Sequence, residues 1–560
     1  MGKTYILGNN KVLAEHLGYD FIEIPTIISI NDYEIHNWML SVFQQNEIEK
    51  LVIEIGSDVI LPFKIAYHIR LSLNELKNNA LIPILFVSTS TLNSIVLKAS
   101  LWCHILSTKG VYFSSISDFE KIKLELSVVK EITSEEYKSE FWDIIKVFPG
   151  EVMGRHSLAN VWGAYSMDKA ANINILRFNS DFKKRSAELY FKYVSAINNL
   201  KTLNIKTVGY INLSPPCPID AKNRKILLID DEADKGWELV LRNVFSTNLP
   251  DDFVVINEKV KDYDKFTPKS KSIIENEHFD LYLIDLRLGG LEEDGILKPD
   301  DFSGMKVMRR IKSINPGNQV IIFTASNKVW NLKALFDAGA DGYYMKESPE
   351  FAFSNEFSVQ NYLRFKDDVQ RCFDRSFLRS AYLDIQFSKE YLNTLDSTDF
   401  KSELINQLDL FWNMISKSIS ETDFAYSFIT LYLVIEIINN HFYQQTIDNK
   451  WLISQKENLL NWQWDQSEKA YVNTNLEITI SNPPEWQKIA GLWFQKWGQS
   501  DSQFIMNIFF LIQKRNGFVH GDKKILDKQD NNNQYLNRDI FTKVGIEKLL
   551  SAVKMLIQFL

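Results

Sequence analysis

Cysteine is scarce in this sequence. Only three cysteines occur among 560 residues, Cys103, Cys217 and Cys372, and they lie far apart along the chain. Zinc sites and disulfide scaffolds need closely spaced or numerous cysteines, so neither kind of site is expected. We interpret the three residues as free thiols in a reducing cytosol.

The sequence also lacks an excess of positive charge. Its formal net charge is −8, with 63 Lys and Arg against 71 Asp and Glu. No global field attracts the chain to nucleic acid, so an RNA substrate would need a local basic pocket. A content of 45% apolar and 13% aromatic residues excludes extensive disorder. The length indicates about three or four domains.

Long apolar runs are absent as well. The first ten residues, MGKTYILGNN, lack the cationic stretch and the apolar segment of a secretory leader. The most apolar run, FITLYLVIEII at 428–438, is too short to cross a bilayer and contains Glu436. We predict a buried core helix there, no membrane segment, and a cytoplasmic protein that senses external signals only through a partner.

Short apolar runs alternate with amphipathic stretches in two blocks, which indicates parallel sheets covered by helices. The first block has predicted strands at 4–7, 50–55, 82–87 and 110–113 and an amphipathic helix at 61–77. The second block spans about 223–350. Residues 131–205 between the blocks are predicted to be mostly helical, and a proline-containing linker follows at 212–220. From about 351 onward almost everything is predicted to be helical.

Polar side chains follow the apolar runs of the second block. Asp230 and Asp231 lie in KILLIDDE (225–232), and Asp285 follows LYLI in DLYLIDLRL (280–288). Thr324 and Lys346 lie at the ends of the next two runs. Because the carboxyl ends of parallel strands meet at one sheet edge, we expect these side chains to lie together. Three clustered carboxylates repel one another and favour a hard divalent cation such as Mg²⁺.

This order of an acidic pair, an Asp, a Thr and a Lys resembles the receiver domain of two-component response regulators, across about 223–350. The resemblance implies Mg²⁺ as the cofactor and phosphoryl transfer from the phosphohistidine of a sensor histidine kinase or phosphotransfer protein. The new charge would then reorder nearby loops as a two-state switch. The residues assigned by the resemblance are the acceptor Asp285; the metal-binding Asp230, Asp231, Asp285 and the backbone carbonyl of Arg287; and the switch residues Thr324, Tyr343 and Lys346.

One segment departs from the receiver pattern. The loop after the acceptor, GGLEEDGILKPDDFSG at 289–304, is longer than is usual in the family and carries five acidic residues. We interpret it as a solvated charged loop. Modulation of access to the phosphate is the alternative.

The first block resembles a receiver that has lost its reactive groups. When its strands are laid on those of the second block, Glu54 falls on the acceptor position. Gly8 and Asn9 fall on the acidic pair, Val87 on the Thr and Ser114 on the Lys. We therefore predict a degenerate receiver-like domain at 1–125, without phosphotransfer and with a role in docking or dimerisation. Glu54 as a built-in phosphate mimic is the alternative.

A histidine in the connecting region is a further candidate. His156 and Asn160, in GRHSLANVWG (154–163), are four residues apart and would share a helix face. A phosphotransfer helix also displays a His with a polar residue one turn on. A structural or surface role is the other interpretation, since short motifs transfer poorly between proteins.

The C-terminal region carries a second motif. QFIMNIFFLIQKRNGFVH (503–520) ends in Arg515, Asn516 and His520, which resembles the R-x₄₋₆-H signature of HEPN domains. That family is all-helical and includes metal-independent ribonucleases whose two protomers face each other. The resemblance implies that His520 acts as general acid or base, that Arg515 clamps the phosphate and that Asn516 orients His520 or holds a phosphate oxygen. Glu436 is either a partner of this site or a helix-surface carboxylate.

These features predict α/β plus all-α architecture, with two flavodoxin-like doubly wound domains and a helical bundle. The function expected is a phosphorylation-controlled, homodimeric signalling protein whose helical domain is a candidate cofactor-free ribonuclease. In the alternative, that domain is a non-catalytic protein-interaction module. The predicted domains are the receiver-like domain at 1–125, a helical connector at 131–211, the receiver at 223–350, a helical linker at 351–395 and the HEPN-like domain at 396–560.

Overall fold

The structure, a computed structural model, describes most of the chain. The described residues are 3–9, 11–25, 31–116, 119–148, 155–175, 184–201, 216–289, 293, 296, 298–324, 329–348, 355–396, 398–445, 447, 451–453, 462–465, 470–473, 483–520 and 542–560. They divide into two compact units. The first unit comprises Met1–Ser270, Tyr282–Lys306 and Ile321–Val369, and the second comprises Lys271–Leu281, Val307–Val320 and Gln370–Leu560.

The first block forms a five-stranded sheet in the order β2-β1-β3-β4-β5, with every neighbouring pair parallel. Its strands are β1 Lys3–Gly8, β2 Asp20–Glu23, β3 Ile48–Glu54, β4 Ile84–Ser88 and β5 Val111–Ser115. Its helices are α1 Val12–Leu17, α2 Asp32–Gln45, α3 Ile60–Arg70, α4 Leu73–Leu76, α5 Leu92–Ala99 and α6 Phe119–Val128.

Strand β2 was not predicted from the sequence, because it is short and polar and has no fully buried position. The helix predicted at 61–77 ends earlier, at Arg70. A second short helix, α4, follows the break at 71–72.

The connecting region contains two long helices, α7 Arg155–Ala170 and α8 Leu189–Lys201. Residues 131–148 are mostly turns around one π-helical turn at Lys138–Trp142, so the prediction of helix is wrong there. Phe141 and Trp142 of this segment nevertheless join the core of the first block, as does Phe191 of α8, and the burial of the first two anchors the irregular segment.

The second block forms a five-stranded sheet in the order β12-β11-β10-β7-β9. Read outward from the first strand of the block, this is the same order as in the first block. Its strands are β7 Ile226–Ile229, β9 Phe253–Ile256, β10 Leu281–Asp285, β11 Val320–Thr324 and β12 Gly342–Met345. Two short strands, β6 Ile219–Asp220 and β8 Phe245–Ser246, pair with each other beside it. Its helices are α9 Trp237–Val244, α10 Pro268–Asn276, α11 Ser303–Ile314 and α12 Val329–Asp337.

The central strands of this sheet are buried on both faces. Every residue of β7, β10 and β11 is buried, which is the burial expected of strands covered by helices on both sides. Strand β9, whose two middle residues are only half-buried, was not predicted from the sequence.

The C-terminal region is mainly helical and has one continuous apolar core. Its helices are α13 Asn355–Arg375, α14 Leu378–Thr394, α15 Asp399–Ile415, α16 Glu421–Phe442, α17 Glu485–Gly491, α18 Ser502–His520 and α19 Lys543–Ile557. Within the described residues, only Thr422–Phe442 has the length and composition of a membrane span, and 56% of that stretch is buried inside the protein. This burial agrees with the core helix predicted at 428–438.

Two antiparallel hairpins interrupt the helices between α16 and α17, which corrects the prediction that this region is almost entirely helical. They pair β13 Tyr443–Gln445 with β14 Trp451–Ile453, and β15 Trp462–Asp465 with β16 Ala470–Asn473. The strands are rich in Trp, Tyr, Val and Ile, residues that fit a pleated surface better than a helix. The polar run at 527–534 lies outside the described residues.

Candidate functional site

Two acidic residues come directly after β7. The backbone N–H of Asp230 still donates to the carbonyl of Ile256 on β9, at 3.1 Å, so Asp230 continues the sheet for one residue. Its carboxylate Oδ1 accepts the backbone N–H of Glu232 at 2.9 Å, which fixes the turn that leaves the sheet. Asp285 is the last residue of β10 and is 3% exposed. The strand ends therefore hold these carboxylates at one sheet edge, as predicted.

The three carboxylates form one cluster. One oxygen from each of Asp230, Asp231 and Asp285 can be chosen so that all three lie within 4.8 Å of one another. Burial, followed by the charges of Asp285 and Asp230, raises the pKa of Asp231 to about 8. Its Oδ1 is buried and has no hydrogen-bond partner. Such an oxygen is costly unless a donor or a cation reaches it.

A divalent cation fits this set of donors. Three hard oxygen ligands at one open sheet edge suit Mg²⁺, which retains several waters and needs few protein ligands. A bound cation would offset both the burial and the carboxylate repulsion that raise the pKa of Asp231. The carbonyl of Arg287 remains a predicted ligand.

Lys346 supplies the opposite charge. Its Nζ lies 2.9 Å from Oδ2 of Asp230 and 3.2 Å from Oδ1 of Asp285, and its side chain is 5% exposed. Burial lowers the pKa of Lys346, but the charges of Asp230 and Asp285 outweigh burial and raise it above the ordinary value. The ammonium therefore stays charged within the cluster.

The other residues predicted for the switch lie close to these groups along the strands. Thr324 ends β11, is buried, and accepts the backbone N–H of Lys346 on its carbonyl at 2.7 Å. Tyr343 lies on β12, where its hydroxyl accepts a hydrogen bond from Arg364. The Arg364 guanidinium also stacks 4.0 Å from the Tyr343 ring centroid. The guanidinium of Arg287 lies over the ring of Phe302.

A close backbone approach supports the acceptor strand. A Cβ on Gly304, in the first turn of α11, would lie 2.1 Å from the carbonyl oxygen of Asp285. The N–H of Gly304 donates to the carbonyl of Leu286 at 3.1 Å, so the helix start is tied directly to the residue after the acceptor. Only glycine fits at this position without moving the backbone.

Part of the acidic loop at 289–304 folds inward, contrary to the prediction that it is solvated. Glu293 is 3% exposed, and its Oε1 accepts the backbone N–H of Ser303 at 3.2 Å. Ser303 in turn accepts the N–H of Leu288 on its hydroxyl, at 2.7 Å. The backbone N–H of Ser303, at the start of α11, stabilises this buried carboxylate. Residues 290–292, 294, 295 and 297 of the loop lie outside the described residues.

Helix α7 of the connecting region also reaches the cluster, which the sequence did not predict. The side-chain oxygen of Asn160 accepts Lys346 Nζ and Trp237 Nε1, each at 3.0 Å. Its amide nitrogen donates to Glu232 Oε2 at 2.7 Å, and Ser157 donates to the other oxygen of Glu232 at 2.5 Å. The only signal in the sequence was the polar residue four positions after His156. The side chain of His156 itself lies outside the described part.

The first block has the same strand ends without the reactive groups. Glu54 ends β3 beside Val87 of β4, and Val87 pairs with Ser114 of β5. A Cβ on Gly8 would lie 2.5 Å from Glu54 Oε2, so the acceptor-like side chain fills the space of the missing first acid. Burial raises the pKa of Glu54, although a hydrogen bond from the backbone N–H of Asn9 opposes this shift. No lysine stands where Lys346 stands in the second block.

In the helical region, the structure brings Glu436 and Arg515 together. Arg515 Nη2 lies 3.1 Å from Glu436 Oε1, and its guanidinium carbon lies 4.6 Å from the centroid of the Tyr432 ring. Both charged side chains are partly exposed, at 28% for Glu436 and 18% for Arg515. Helix α18 continues to His520, but the side chains of Asn516 and His520 lie outside the described part.

Comparison with known proteins supports a receiver-type fold at the N-terminus. Residues 14–114, less than a fifth of the chain, match the family model of the inactive receiver domain. This match confirms the prediction that the first block is receiver-like, and its family description agrees with the missing reactive groups. No curated protein sequence matches the chain.

Two solved structures have low overall similarity to this chain. A CheY-like response regulator receiver domain protein from Methanospirillum hungatei JF-1 is 18% identical, with a TM-score of 0.17, 26% of this chain covered and 97% of that chain. NtrX from Brucella abortus, in complex with ATP, is 14% identical, with a TM-score of 0.19, 34% of this chain covered and 40% of that chain. At these scores the two structures support no conclusion about the fold or the activity of this chain.

Proposed function

We propose that this chain is a signalling protein controlled by phosphorylation of Asp285. The observation that carries the proposal is the cluster of Asp230, Asp231 and Asp285 around the ammonium of Lys346. A carboxylate nucleophile flanked by a metal-binding acid pair and a fixed cation is suited to accept a phosphoryl group. The phosphodonor is the phosphohistidine of a sensor kinase or a phosphotransfer protein.

Each residue has a role that follows from its position. Asp230 and Asp231 would hold Mg²⁺, which supplies charge neutralisation at the phosphoryl oxygens when it is bound. Asp285 attacks the phosphorus in line and takes the phosphoryl group as an acyl phosphate, while the imidazole of the donor leaves. Lys346 offers a positive charge to the new phosphoryl oxygens, and Thr324 offers its hydroxyl at the end of the neighbouring strand.

The test is labelling with acetyl phosphate. Purified full-length protein with Mg²⁺ should gain one phosphoryl group, visible as a mass increase on the intact chain, and Asp285→Asn should gain none. Asp280→Asn, at an acid five residues earlier, is the control and should be labelled like wild type. Labelling that persists in Asp285→Asn would place the acceptor elsewhere.

We propose in addition that the C-terminal helical region is the output of this switch and a metal-independent endoribonuclease. The pairing of Arg515 with Glu436 and its stacking on Tyr432 favour this role, because they orient the guanidinium. An RNA phosphodiester brings its own nucleophile, the 2′-hydroxyl, so His520 and Arg515 would suffice for acid–base and charge stabilisation. A homodimer would join two such sets in one cleft.

The alternative output is a protein-interaction module, for which the same ion pair serves only to hold two helices together. Incubation of a structured RNA with purified protein, with and without acetyl phosphate, separates the two functions. Cleavage that resists EDTA and is lost in both Arg515→Ala and His520→Ala supports the ribonuclease. Equal cleavage by wild type and both variants, or no cleavage in either phosphorylation state, favours the interaction module.

A further inference from the structure

The candidate phosphoacceptor site is completed by a residue from outside its own block. Asn160 lies on α7, more than sixty positions before Asp230, yet its side-chain oxygen is 3.0 Å from Lys346 Nζ. Asn160 is 2% exposed, so this contact is shielded from water. The neutral amide satisfies one donor of the buried ammonium, which a hydrocarbon side chain would leave unsatisfied.

The orientation of the Asn160 amide is determined by its neighbours. Its oxygen faces two groups that can only donate, the ammonium of Lys346 and the indole N–H of Trp237. Its nitrogen faces a group that can only accept when ionised, the carboxylate of Glu232. A flipped amide would set donor against donor on one side and oxygen against carboxylate on the other. Asn160 therefore presents an acceptor to Lys346 in a fixed direction.

The three N–H bonds of the ammonium have three acceptors, Asp230, Asp285 and Asn160. Two of these acceptors change partners during the proposed phosphorylation, since Asp230 would turn toward the metal and Asp285 would carry the phosphoryl group. Asn160 is uncharged and competes for neither the metal nor the phosphoryl group. We infer that Asn160 is a positioning residue that keeps Lys346 aimed at the phosphoryl group when the carboxylates no longer hold it.

This inference rests on the proposed phosphorylation of Asp285 and extends it to α7. By linkage, a helix whose docking favours the phosphorylated site is docked more tightly once the site is phosphorylated, by the same coupling free energy. Docking of α7 depends on close packing as well as on Asn160. A Cβ on Gly163 would lie 2.9 Å from both the carbonyl oxygen of Glu347 and a ring carbon of Trp237. Helix α7 is thus the element that would transmit the effect of phosphorylation from the site to the rest of the protein.

The test measures the initial rate of phosphorylation of the full chain by acetyl phosphate across a series of Mg²⁺ concentrations. Asn160→Ala should lower the rate at saturating Mg²⁺ about tenfold, the effect of one lost hydrogen bond to a charged group. The Mg²⁺ concentration for half-maximal rate should stay unchanged, because Asn160 contacts none of the three carboxylates. Ser157→Ala is the control on the same helix. It loses only a contact to Glu232 and should keep the wild-type rate within about twofold.

A rescue pair separates positioning from general packing. Asn160→Asp should be as slow as Asn160→Ala, because it sets two carboxylates against each other at Glu232. In the double variant Asn160→Asp with Glu232→Gln, the acid stands at position 160 and the amide at position 232. This exchange restores the hydrogen bond between the two side chains and keeps an oxygen toward Lys346, so the double variant should regain most of the rate.

The outcomes also separate this inference from the proposed function. Labelled wild type together with Asn160→Ala at the wild-type rate would overturn the role of Asn160 and leave phosphorylation of Asp285 intact. A slow Asn160→Ala whose half-maximal Mg²⁺ shifts in parallel, with no rescue in the double variant, would also overturn it, because that pattern marks a purely structural residue. Wild type that takes no label would instead count against the proposed function itself.

Discussion

Lys346 and Asp230 form a buried ion pair in which Nζ lies 2.9 Å from Oδ2 and neither side chain is more than 5% exposed. Removing one partner of such a pair leaves a buried uncompensated charge. We expect Lys346→Ala to lower the free energy of unfolding in EDTA by about 3–5 kcal/mol, measured by urea denaturation. Mg²⁺ should restore part of this loss. Lys235→Ala, which breaks the exposed pair with Asp234, is the control and should change little. Equal losses in the two variants would contradict the buried-pair account.

The raised pKa of Asp231 predicts how stability depends on pH. An acid whose folded-state pKa lies above its ordinary value binds more protons in the folded state than in the unfolded state. Its contribution to stability is therefore present below about 3.8 and is lost as pH rises through about 8. In EDTA, the melting temperature should therefore fall between pH 6 and pH 8.5 more steeply in wild type than in Asp231→Asn. Identical slopes would show that Asp231 does not titrate in this range.

Metal binding should reverse that trend. A cation that binds only the folded protein stabilises it by about 2.7 kcal/mol at one hundred times its Kd. We expect Mg²⁺ to raise the melting temperature more at pH 8.5 than at pH 6, because it replaces the proton on Asp231. Asp231→Asn should lose most of this increase. An increase of the same size in that variant would place the metal elsewhere.

The degenerate site of the first block should take neither metal nor phosphoryl group. The site around Glu54 has neither the acidic pair nor the lysine of the second block, and the Glu54 carboxylate fills the space above Gly8. Glu54→Gln should therefore leave the Mg²⁺-induced rise in melting temperature and the acetyl phosphate labelling at wild-type values. Loss of label in Glu54→Gln, with Asp285 unchanged, would show that the first block takes part in phosphotransfer.

The contact between Gly304 and Asp285 should make position 304 intolerant of any side chain. A methyl group there would lie 2.1 Å from a backbone oxygen, which cannot move aside as the end of a flexible side chain can. We expect Gly304→Ala to lower the free energy of unfolding by about 1–3 kcal/mol through overpacking. We also expect it to slow phosphorylation of Asp285. Gly56→Ala is the control, because its new methyl group would meet only a side-chain nitrogen of Asn9 at 3.7 Å. Wild-type stability and labelling in Gly304→Ala would show that the backbone can shift there without consequence.

The pair of Glu436 and Arg515 can be tested by a double-mutant cycle on unfolding. Because both side chains are partly exposed, we expect a coupling energy of about 1 kcal/mol or less between Glu436→Gln and Arg515→Gln. The cycle of Lys389→Gln with Asp409→Asn, a surface pair of the same helical region, gives the reference value. If Arg515 clamps RNA, Glu436→Gln should lower cleavage through misorientation, whereas the reference variants should not. Cleavage unchanged in Glu436→Gln would separate the ion pair from the ribonuclease.

The sequence by itself determined the character of the two sheets and of the site at the edge of the second one. Short apolar runs that alternate with amphipathic stretches favour buried parallel strands, and acids that directly follow such strands meet at one sheet edge. For this reason the sequence alone predicts that Asp230, Asp231, Asp285 and Lys346 lie together. The loss of reactive groups at Gly8, Glu54 and Ser114 was equally visible, because equivalent strand ends carry different residue types.

Only the tertiary structure decided which distant segments touch those groups. The contact of Asn160 with Lys346 joins residues 186 positions apart, and the inward turn of Glu293 depends on a backbone donor at the start of α11. The edge strands β2 and β9 and the hairpins after α16 were missed for a related reason. Each of these strands is only three or four residues long, so the strands that pair with them settle the conformation more than the local sequence does. Strand ends are a local property of sequence, whereas the neighbours of a buried charge are selected by packing over the whole chain.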